Sequence, residues 1–471
     1  MPAQPLPVTD DFIEPFIEMV FPYPLTGAQR RAIDDIRRDI ASDIPMNRLL
    51  QGDVGSGKTA VAVAAMAMAF ANGKQAALMA PTSILAEQHY RGIIRTLEAM
   101  PGERRPVIGL LTSALTTTER EAIYNGLADG SIDMIIGTHA LIQGGVVFND
   151  LALAIVDEQH RFGVEQRGQL RGKGMNPHVL VMTATPIPRT LALTLYADLD
   201  LSIMDEMPPG RTPVETKVIM PSEREITYRF IEREIEKGRQ AFIVYPLVEA
   251  SESIEAGSAI EAYEQLSQVF FRHRVGLLHG RMKPAEKDAI MASFANHEFD
   301  VMVTTSVAEV GVDIPNASVI VIDGANRFGL AQLHQFRGRV GRGQHASYCF
   351  LIADDATVDT PYRLEKITMN DIENKSYPES ERRLKAMELS TDGFMLAEID
   401  WKLRGPGDLV GTRQSGNSLL RLAKAITPDL VSLAQREART LYEEDPYLAA
   451  AEHQLLKERV SMLHDERSDL S

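Results

Sequence analysis

The run Leu49-Leu50-Gln51-Gly52-Asp53-Val54-Gly55-Ser56-Gly57-Lys58-Thr59 joins a short apolar stretch to a helix-forming run from Ala60 to Ala71. Its spacing, Gly-x-x-x-x-Gly-Lys-Thr, is that of a phosphate cradle. Gly52, Gly55 and Gly57 let the backbone curl so that successive N–H groups face phosphate oxygens, and the following helix adds its positive N-terminal end. Lys58 can then reach the β- and γ-phosphates, and the Thr59 hydroxyl can bind Mg²⁺.

Such a cradle hydrolyses nucleotide only if a carboxylate at the end of a neighbouring buried strand helps to hold the metal ion. Leu151–Val156 is an unbroken apolar run, as expected of a parallel strand covered on both faces. It ends in Asp157-Glu158-Gln159-His160. Asp157 is the expected Mg²⁺ partner, and Glu158 the group that polarises the attacking water. The residues point to an ATPase or a GTPase.

The elements that must hold these groups follow from the alternation of apolar runs and longer helical patterns. Strands are expected at 48–51, 75–80, 107–111, 133–136, 151–156 and 179–182, with amphipathic helices over Ser83–Met100 and Thr116–Ala128. Met207-Pro208-Pro209-Gly210-Arg211-Thr212-Pro213 reads as a linker. The alternation then restarts, with strands at Ala241–Tyr245, Val275–Leu278, Val301–Thr304, Val319–Ile322 and Tyr348–Ile352 but no second cradle. Charged, proline-interrupted segments run from Asp354 to about Asn417, and the C-terminal stretch beyond reads as amphipathic helix.

In the second half, His334-Gln335-Phe336-Arg337-Gly338-Arg339-Val340-Gly341-Arg342 carries arginines three apart with glycines between. Arg339 and Arg342 can stabilise charge on a transferring phosphoryl group; a solvated basic turn or a phosphate-backbone contact has the same composition. Thr82, Thr138 and Thr305 each follow an apolar run at a strand-to-helix junction, where a hydroxyl and a helix N-terminus together grip a backbone phosphate without reading a base. Each is equally a plain helix cap. Thr183 and Thr185 can couple the phosphate site to closure of the two halves, or simply cap.

Composition sets the bounds. A chain of 471 residues with 44% hydrophobic and 24% charged content is an ordinary globular protein of two or three domains. The single cysteine, Cys349, lies in an apolar run, so no disulfide framework forms within one chain and a reducing cytoplasm is expected. No signal peptide and no bilayer-spanning apolar run is evident. The net charge of −16 argues against indiscriminate coating of nucleic acid, so any DNA contact should be confined to a channel and weakened by salt.

With Leu25-Thr26-Gly27-Ala28-Gln29, Ala80-Pro81-Thr82-Ser83, Gly137-Thr138-His139-Ala140, Thr183-Ala184-Thr185-Pro186, Leu278-His279-Gly280 and the run Thr304–Asp313 in order around these features, the chain resembles superfamily 2 helicase motors. Asp157-Glu158-Gln159-His160-Arg161-Phe162-Gly163 and Arg404-Gly405-Pro406-Gly407-Asp408-Leu409-Val410-Gly411-Thr412-Arg413-Gln414-Ser415-Gly416 narrow the resemblance to the RecG family of branched-DNA translocases. It runs from about Phe21 to Gly416. It implies two RecA-like α/β domains with parallel sheets, followed by a helical hairpin and loop that relay ATP-driven domain movement to duplex DNA. It also implies ATP and Mg²⁺ as cofactors, Gln29 as the adenine-reading residue, and Arg383, Arg404 and Gln414 as coupling residues. The corresponding division is an N-terminal segment 1–20, an ATP-binding domain 21–207, a second RecA-like domain 208–353, a translocation hairpin and loop 354–424 and a C-terminal helical segment 425–471.

RecG proteins also carry an N-terminal wedge domain that splits the fork. Met1–Pro24, punctuated by Pro2, Pro5, Pro7, Pro15, Pro22 and Pro24, cannot supply it. The expectation is a shortened form, or a motor that takes its wedge from elsewhere, with nucleotide chemistry kept and fork specificity open. Duplex DNA, forks and Holliday junctions are the implied partners of a nucleoid-associated monomer, with single-strand-binding protein or a separate wedge domain as protein partners. An RNA helicase or another superfamily 2 ATPase, and a nucleotide-binding fragment without motor activity, are the rival readings.

Overall fold

The computed structural model describes residues 2–100, 104–158, 173–174, 176–185, 188, 199–210, 212–246, 252–305, 314–353, 366–404 and 428–468. It contains two all-parallel sheets. The first joins seven strands in the order β3-β4-β2-β5-β6-β1-β7, with β1 Asn47–Gly52, β2 Gln75–Met79, β3 Ile108–Leu111, β4 Met134–Gly137, β5 Leu151–Val156, β6 His178–Thr183 and β7 Asp200–Met204. The second joins six in the order β10-β11-β9-β12-β13-β8, with β8 Glu215–Ile219, β9 Gln240–Val244, β10 Val275–Leu278, β11 Val301–Thr304, β12 Ala317–Ile322 and β13 Tyr348–Ile352. The fold class is therefore the expected one. Edge strands β7 and β8 are additions to the sequence reading.

Parallel strands must be covered on both faces, and the sequence supplies the cover. β5 and β6 are buried along their whole length. Helix α3 (Lys58–Ala71) alternates alanine with valine and methionine and is buried from Ala60 to Phe70. A helix apolar all round belongs inside a protein, and its small side chains let it lie close to the sheet. Helix α1 (Asp10–Val20) contains Pro15 yet buries Ile13, Phe16, Ile17 and Val20 in the same core. The N-terminal segment thus packs as part of the first lobe, which its prolines had concealed. Helix α2 (Gly27–Ile40) starts at a reciprocal cap, in which Thr26 and Gln29 each hydrogen-bond the other's backbone N–H.

Beyond these lie α4 (Ser83–Leu97), α5 (Thr117–Ala128), α6 (Arg224–Glu236), α7 (Glu252–Val269), α8 (Pro284–Ala295) and α9 (Leu330–Arg337). Two further helices, α10 (Glu379–Leu389) and α11 (Gly393–Arg404), form a hairpin, with Leu384, Ala386, Met387 and Leu396 in the core of the second lobe. Both sheets and this hairpin belong to one compact unit.

A second unit contains α12 (Pro428–Glu444) and α13 (Gln454–Ser468). The single C-terminal helix suggested by the sequence is thus broken. At the break, Asp445 accepts hydrogen bonds from the Ala449 and Ala450 N–H groups and from His453. These bonds, that from His453 foremost, pull the Asp445 carboxyl down to about 2. Among the described residues, no helix is long and apolar enough to cross a membrane.

Candidate active site

The turn after β1 has the curled geometry that its glycines allow. Gly55 and Gly57 have φ of 79° and 84°, where a side chain is strained. A Cβ on Gly57 would lie 2.2 Å from Gln29 Nε2, because that amide donates to the Ser56 carbonyl at 3.1 Å. Gln29, 1% exposed, thus braces the loop from behind, with its Oε1 accepting from the Thr26 N–H at 2.8 Å. The Ser56 hydroxyl is fully buried and has no hydrogen-bond partner among the described residues. Lys58 opens α3 and donates to the Gly52 and Asp53 carbonyls at 2.8 and 2.9 Å. Burial pushes the Lys58 ammonium below its usual range, against the opposing pull of Glu158, Asp157 and Asp53.

β5 delivers the carboxylates. Asp157 follows its last residue, its N–H held by the Met79 carbonyl at 2.9 Å, and Oδ2 lies 2.8 Å from His89 Nε2 on α4. Burial alone would raise the Asp157 carboxyl. The hydrogen bond and charge of His89, together with Lys58, outweigh burial and hold it below the usual carboxylate range. Glu158 has φ of 56°, a left-handed conformation uncommon outside glycine. Such strain concentrates at functional sites.

The second lobe brings the arginines. α9 ends at Arg337, and Gly338 abuts the loop so closely that a Cβ there would lie 2.8 Å from Val54 Cγ1. Arg339 is 5% exposed, and Arg342 Nε donates to the Gly338 carbonyl at 2.9 Å. Gly55, Gly57, Lys58, Thr59, Asp157, Glu158, Arg339 and Arg342 line one cleft of about 540 Å³, together with His89. Six of these eight expected residues come from two loops of the first lobe and the two arginines from the second, so the fold brings together groups far apart in sequence. Gln29 and Gly52 sit behind the cradle and outside the cleft lining.

Thr82, Thr138, Thr183, Thr185, Thr305 and Arg383 lie outside that cleft lining. Thr82 caps α4 by accepting from the Leu85 N–H, and Thr138 likewise caps a short 3-10 turn. Thr305 is 1% exposed, and its hydroxyl has no hydrogen-bond partner among the described residues. Thr183 accepts from the Thr185 N–H, and Thr185 accepts from Gln335 Nε2 of the second lobe at 2.7 Å. Arg383, on α10, donates to the Asn326 and Phe328 carbonyls. Arg404 closes α11, while Gln414, like residues 159–172 and 306–313, lies outside the described residues. Spacing and residue type do not mark His89, a single histidine on an amphipathic helix. Nor do they mark Asp53, which bonds His334 across the lobes.

A phosphate cradle, an acidic strand end and paired arginines from a second parallel-sheet lobe define a two-lobed helicase-type P-loop protein. In agreement, residues 26–194 match the DEAD/DEAH box helicase family and residues 223–344 the helicase conserved C-terminal domain. Residues 390–471 match the C-terminal part of domain 3 of the ATP-dependent DNA helicase RecG. The chain is 47% identical over 444 residues to the ATP-dependent DNA helicase RecG of Synechocystis, covering 93% of this chain and 50% of that protein. With the Escherichia coli K12 protein of the same name the identity is 47% over 455 residues, covering 95% and 62%. A solved structure of RecG bound to a three-way DNA junction superposes with a TM-score of 0.73 at 45% identity, covering 87% of this chain and 50% of that one. The chain belongs to the RecG family. It spans 50% of the first of these relatives and 62% of the second.

Proposed function

We propose that this chain is an ATP-hydrolysing motor that moves on duplex or branched DNA. One observation carries the reading: Lys58, Thr59, Asp157 and Glu158 of the first lobe line the same cleft as Arg339 and Arg342 of the second. A nucleotide there would be gripped by both lobes, so its hydrolysis would change how they hold each other. The cradle suits a triphosphate, with curled backbone at Gly55 and Gly57, a buried Ser56 hydroxyl that has no partner among the described residues and an ammonium at the helix start.

In this reading Lys58 steadies the β- and γ-phosphates and Glu158 orients the attacking water. Arg339 and Arg342 stabilise charge on the transferring group, by positioning and electrostatics rather than covalent chemistry. Thr59 and Asp157 would hold Mg²⁺, which supplies charge neutralisation at the phosphates. The depressed Asp157 carboxyl, ionised at neutral pH, fits that donor role. Gln29 would act on the adenine side of the loop it braces.

Thr82, Thr138 and Thr305 would track the DNA backbone, and Arg383, Arg404 and Gln414 would couple domain movement to the strand. The boundaries that go with this reading are 21–207 and 208–353 for the two motor domains, 354–424 for hairpin and loop, and 425–471 for the C-terminal helices. The relatives' names and the junction-bound RecG structure support DNA as the partner, and fork regression, junction migration, recombination and repair would be the setting. A cytoplasmic, nucleoid-associated monomer fits that setting, working with single-strand-binding protein or a separately supplied wedge.

The test is ATP hydrolysis by the purified chain with no nucleic acid, linear duplex, single strand, RNA or a model fork, beside a Lys58→Ala control. Stimulation by duplex or fork that vanishes in the control is expected. Stimulation by RNA over duplex would favour an RNA helicase, and indifference to every nucleic acid would leave a nucleotide-binding fragment.

A further inference from the structure

The Asp53 side chain points away from the cleft lining and into a buried junction of three chain segments. Its Oδ1 accepts from the Val54 N–H at 2.6 Å and is hydrogen-bonded to His334 Nε2 on α9. Its Oδ2 accepts from the N–H of Gly393, the first residue of α11, at 3.1 Å. On the other side of the imidazole, Arg337 Nη2 lies 2.8 Å from His334 Nδ1. A guanidinium has no acceptor, so Nδ1 must accept and the ring proton must sit on Nε2, where it is donated to Asp53. Arg337 Nη1 also donates to the Met387 and Ser390 carbonyls at 2.9 and 2.7 Å, at the end of α10.

Both sides of the turn between α10 and α11 are therefore bonded to one chain of groups. The departing carbonyls bind Arg337, and the arriving N–H binds Asp53. His334 bonds both Asp53 and Arg337. The Asp53 and His334 side chains are each 7% exposed, so these bonds form where water competes little. A cavity of about 350 Å³ opens beside them, lined in part by Met204, Pro208 and Asp392. Close packing therefore does not enclose the junction on every side, and the hydrogen bonds hold it.

We propose that His334 is a positioning residue that ties the nucleotide cradle directly to the helical hairpin, so that engagement of DNA at the hairpin is felt at the cradle. This rests on the motor reading above. The imidazole must accept from Arg337 and donate to Asp53 at once, and any side chain unable to do both breaks the tie without touching the cleft.

The test compares the full chain with His334→Leu, which has neither group, and with His334→Gln, whose amide oxygen and nitrogen can replace both. ATP hydrolysis is measured without nucleic acid and with saturating duplex DNA. The expected result is a DNA-free rate within about twofold of wild type in both variants. His334→Leu should lose about tenfold in the stimulation ratio, within the range of a typical coupling free energy, and His334→Gln should restore most of it. Wild-type stimulation of His334→Leu overturns the proposal. So does a parallel fall of DNA-free and stimulated rates in both variants, which would mean a packing role alone. If His334→Leu shows no cooperative urea transition, His334→Asn, too short to reach both partners, takes its arm of the comparison. A wild type indifferent to DNA overturns the motor reading along with this one, and is recognised because the failure appears before any substitution is made.

Discussion

Replacing Gly57 with alanine tests how the cradle is held. The new Cβ meets two obstacles: a backbone at φ of 84° and the Gln29 amide nitrogen at 2.2 Å. Left-handed backbone costs an alanine about 1–2 kcal/mol. The amide must also withdraw, breaking its bonds to the Ser56 carbonyl and the Thr26 N–H, each worth about 1 kcal/mol. The sum is about 3 kcal/mol. Because the strain lies in the loop that must curl around phosphate, it should weaken nucleotide binding by roughly two orders of magnitude. Titration with a fluorescent ATP analogue measures that loss, and the urea midpoint reports how much falls on global stability. A cycle with Gln29→Ala separates the two obstacles. With the amide gone only the backbone strain remains, so Gly57→Ala should cost about 1–2 kcal/mol less in that background. Binding by Gly57→Ala within about threefold of wild type, or an equal cost in both backgrounds, would refute the argument.

Three further outcomes follow from the same structure. His89→Ala should raise the Asp157 carboxyl, since burial remains while the hydrogen bond and charge that oppose it are gone. A depressed carboxyl contributes above its ordinary pKa of about 4 and loses that contribution as pH falls through the lower folded value. The acidic limb of the ATPase pH profile should therefore move to higher pH in the variant, and superimposable profiles would contradict the assignment. Arg48 on β1 is 9% exposed, pairs with Asp39 at 2.7 Å and donates to Ser202 Oγ at 2.9 Å. Arg48→Ala should cost about 2 kcal/mol by urea denaturation, because Asp39 loses its partner in a half-buried site, and Arg48→Met should cost less. Cys349 is buried, and burial pushes its thiol up to about 12. It should resist a disulfide reagent at about pH 8 until denaturant exposes it, then react as one thiol per chain.

The candidate cleft was legible as a grouping of residues because the signals for it are local. A cradle must have glycine where φ turns positive and a lysine at the helix start, and both signals lie within Gly52–Thr59. Asp157 was legible for a related reason, since an apolar strand covered on both faces has few places to put a carboxylate other than its end. Helix α1 shows how a breaker can mislead. Pro15 and its neighbouring prolines argue for irregular chain, yet Ile13, Phe16, Ile17 and Val20 recur at helical spacing and their burial outweighs one missing hydrogen bond. β8 escaped detection as an edge strand with exposed Glu215 and Lys217, too short and too polar to stand out.

What could not be read is whatever depends on which side chain meets which across the lobes. Asp53 and His334 are 281 residues apart, and Asp53 and Gly393 are 340 apart. Neither spacing nor residue type marks them, because an aspartate in a glycine turn and a histidine on a helix have ordinary local uses. The phosphate cradle requires only N–H groups, glycines and a lysine, so nothing in phosphate chemistry demands a carboxylate at Asp53. Its side chain faces α9 and α11, and this explains the acidic residue at that position better than the nucleotide does. A cradle residue committed to the hairpin is what an enzyme needs if binding in the cleft and movement at the hairpin are to be one event. The His334 comparison therefore bears on why position 53 is acidic as well as on how the two lobes communicate.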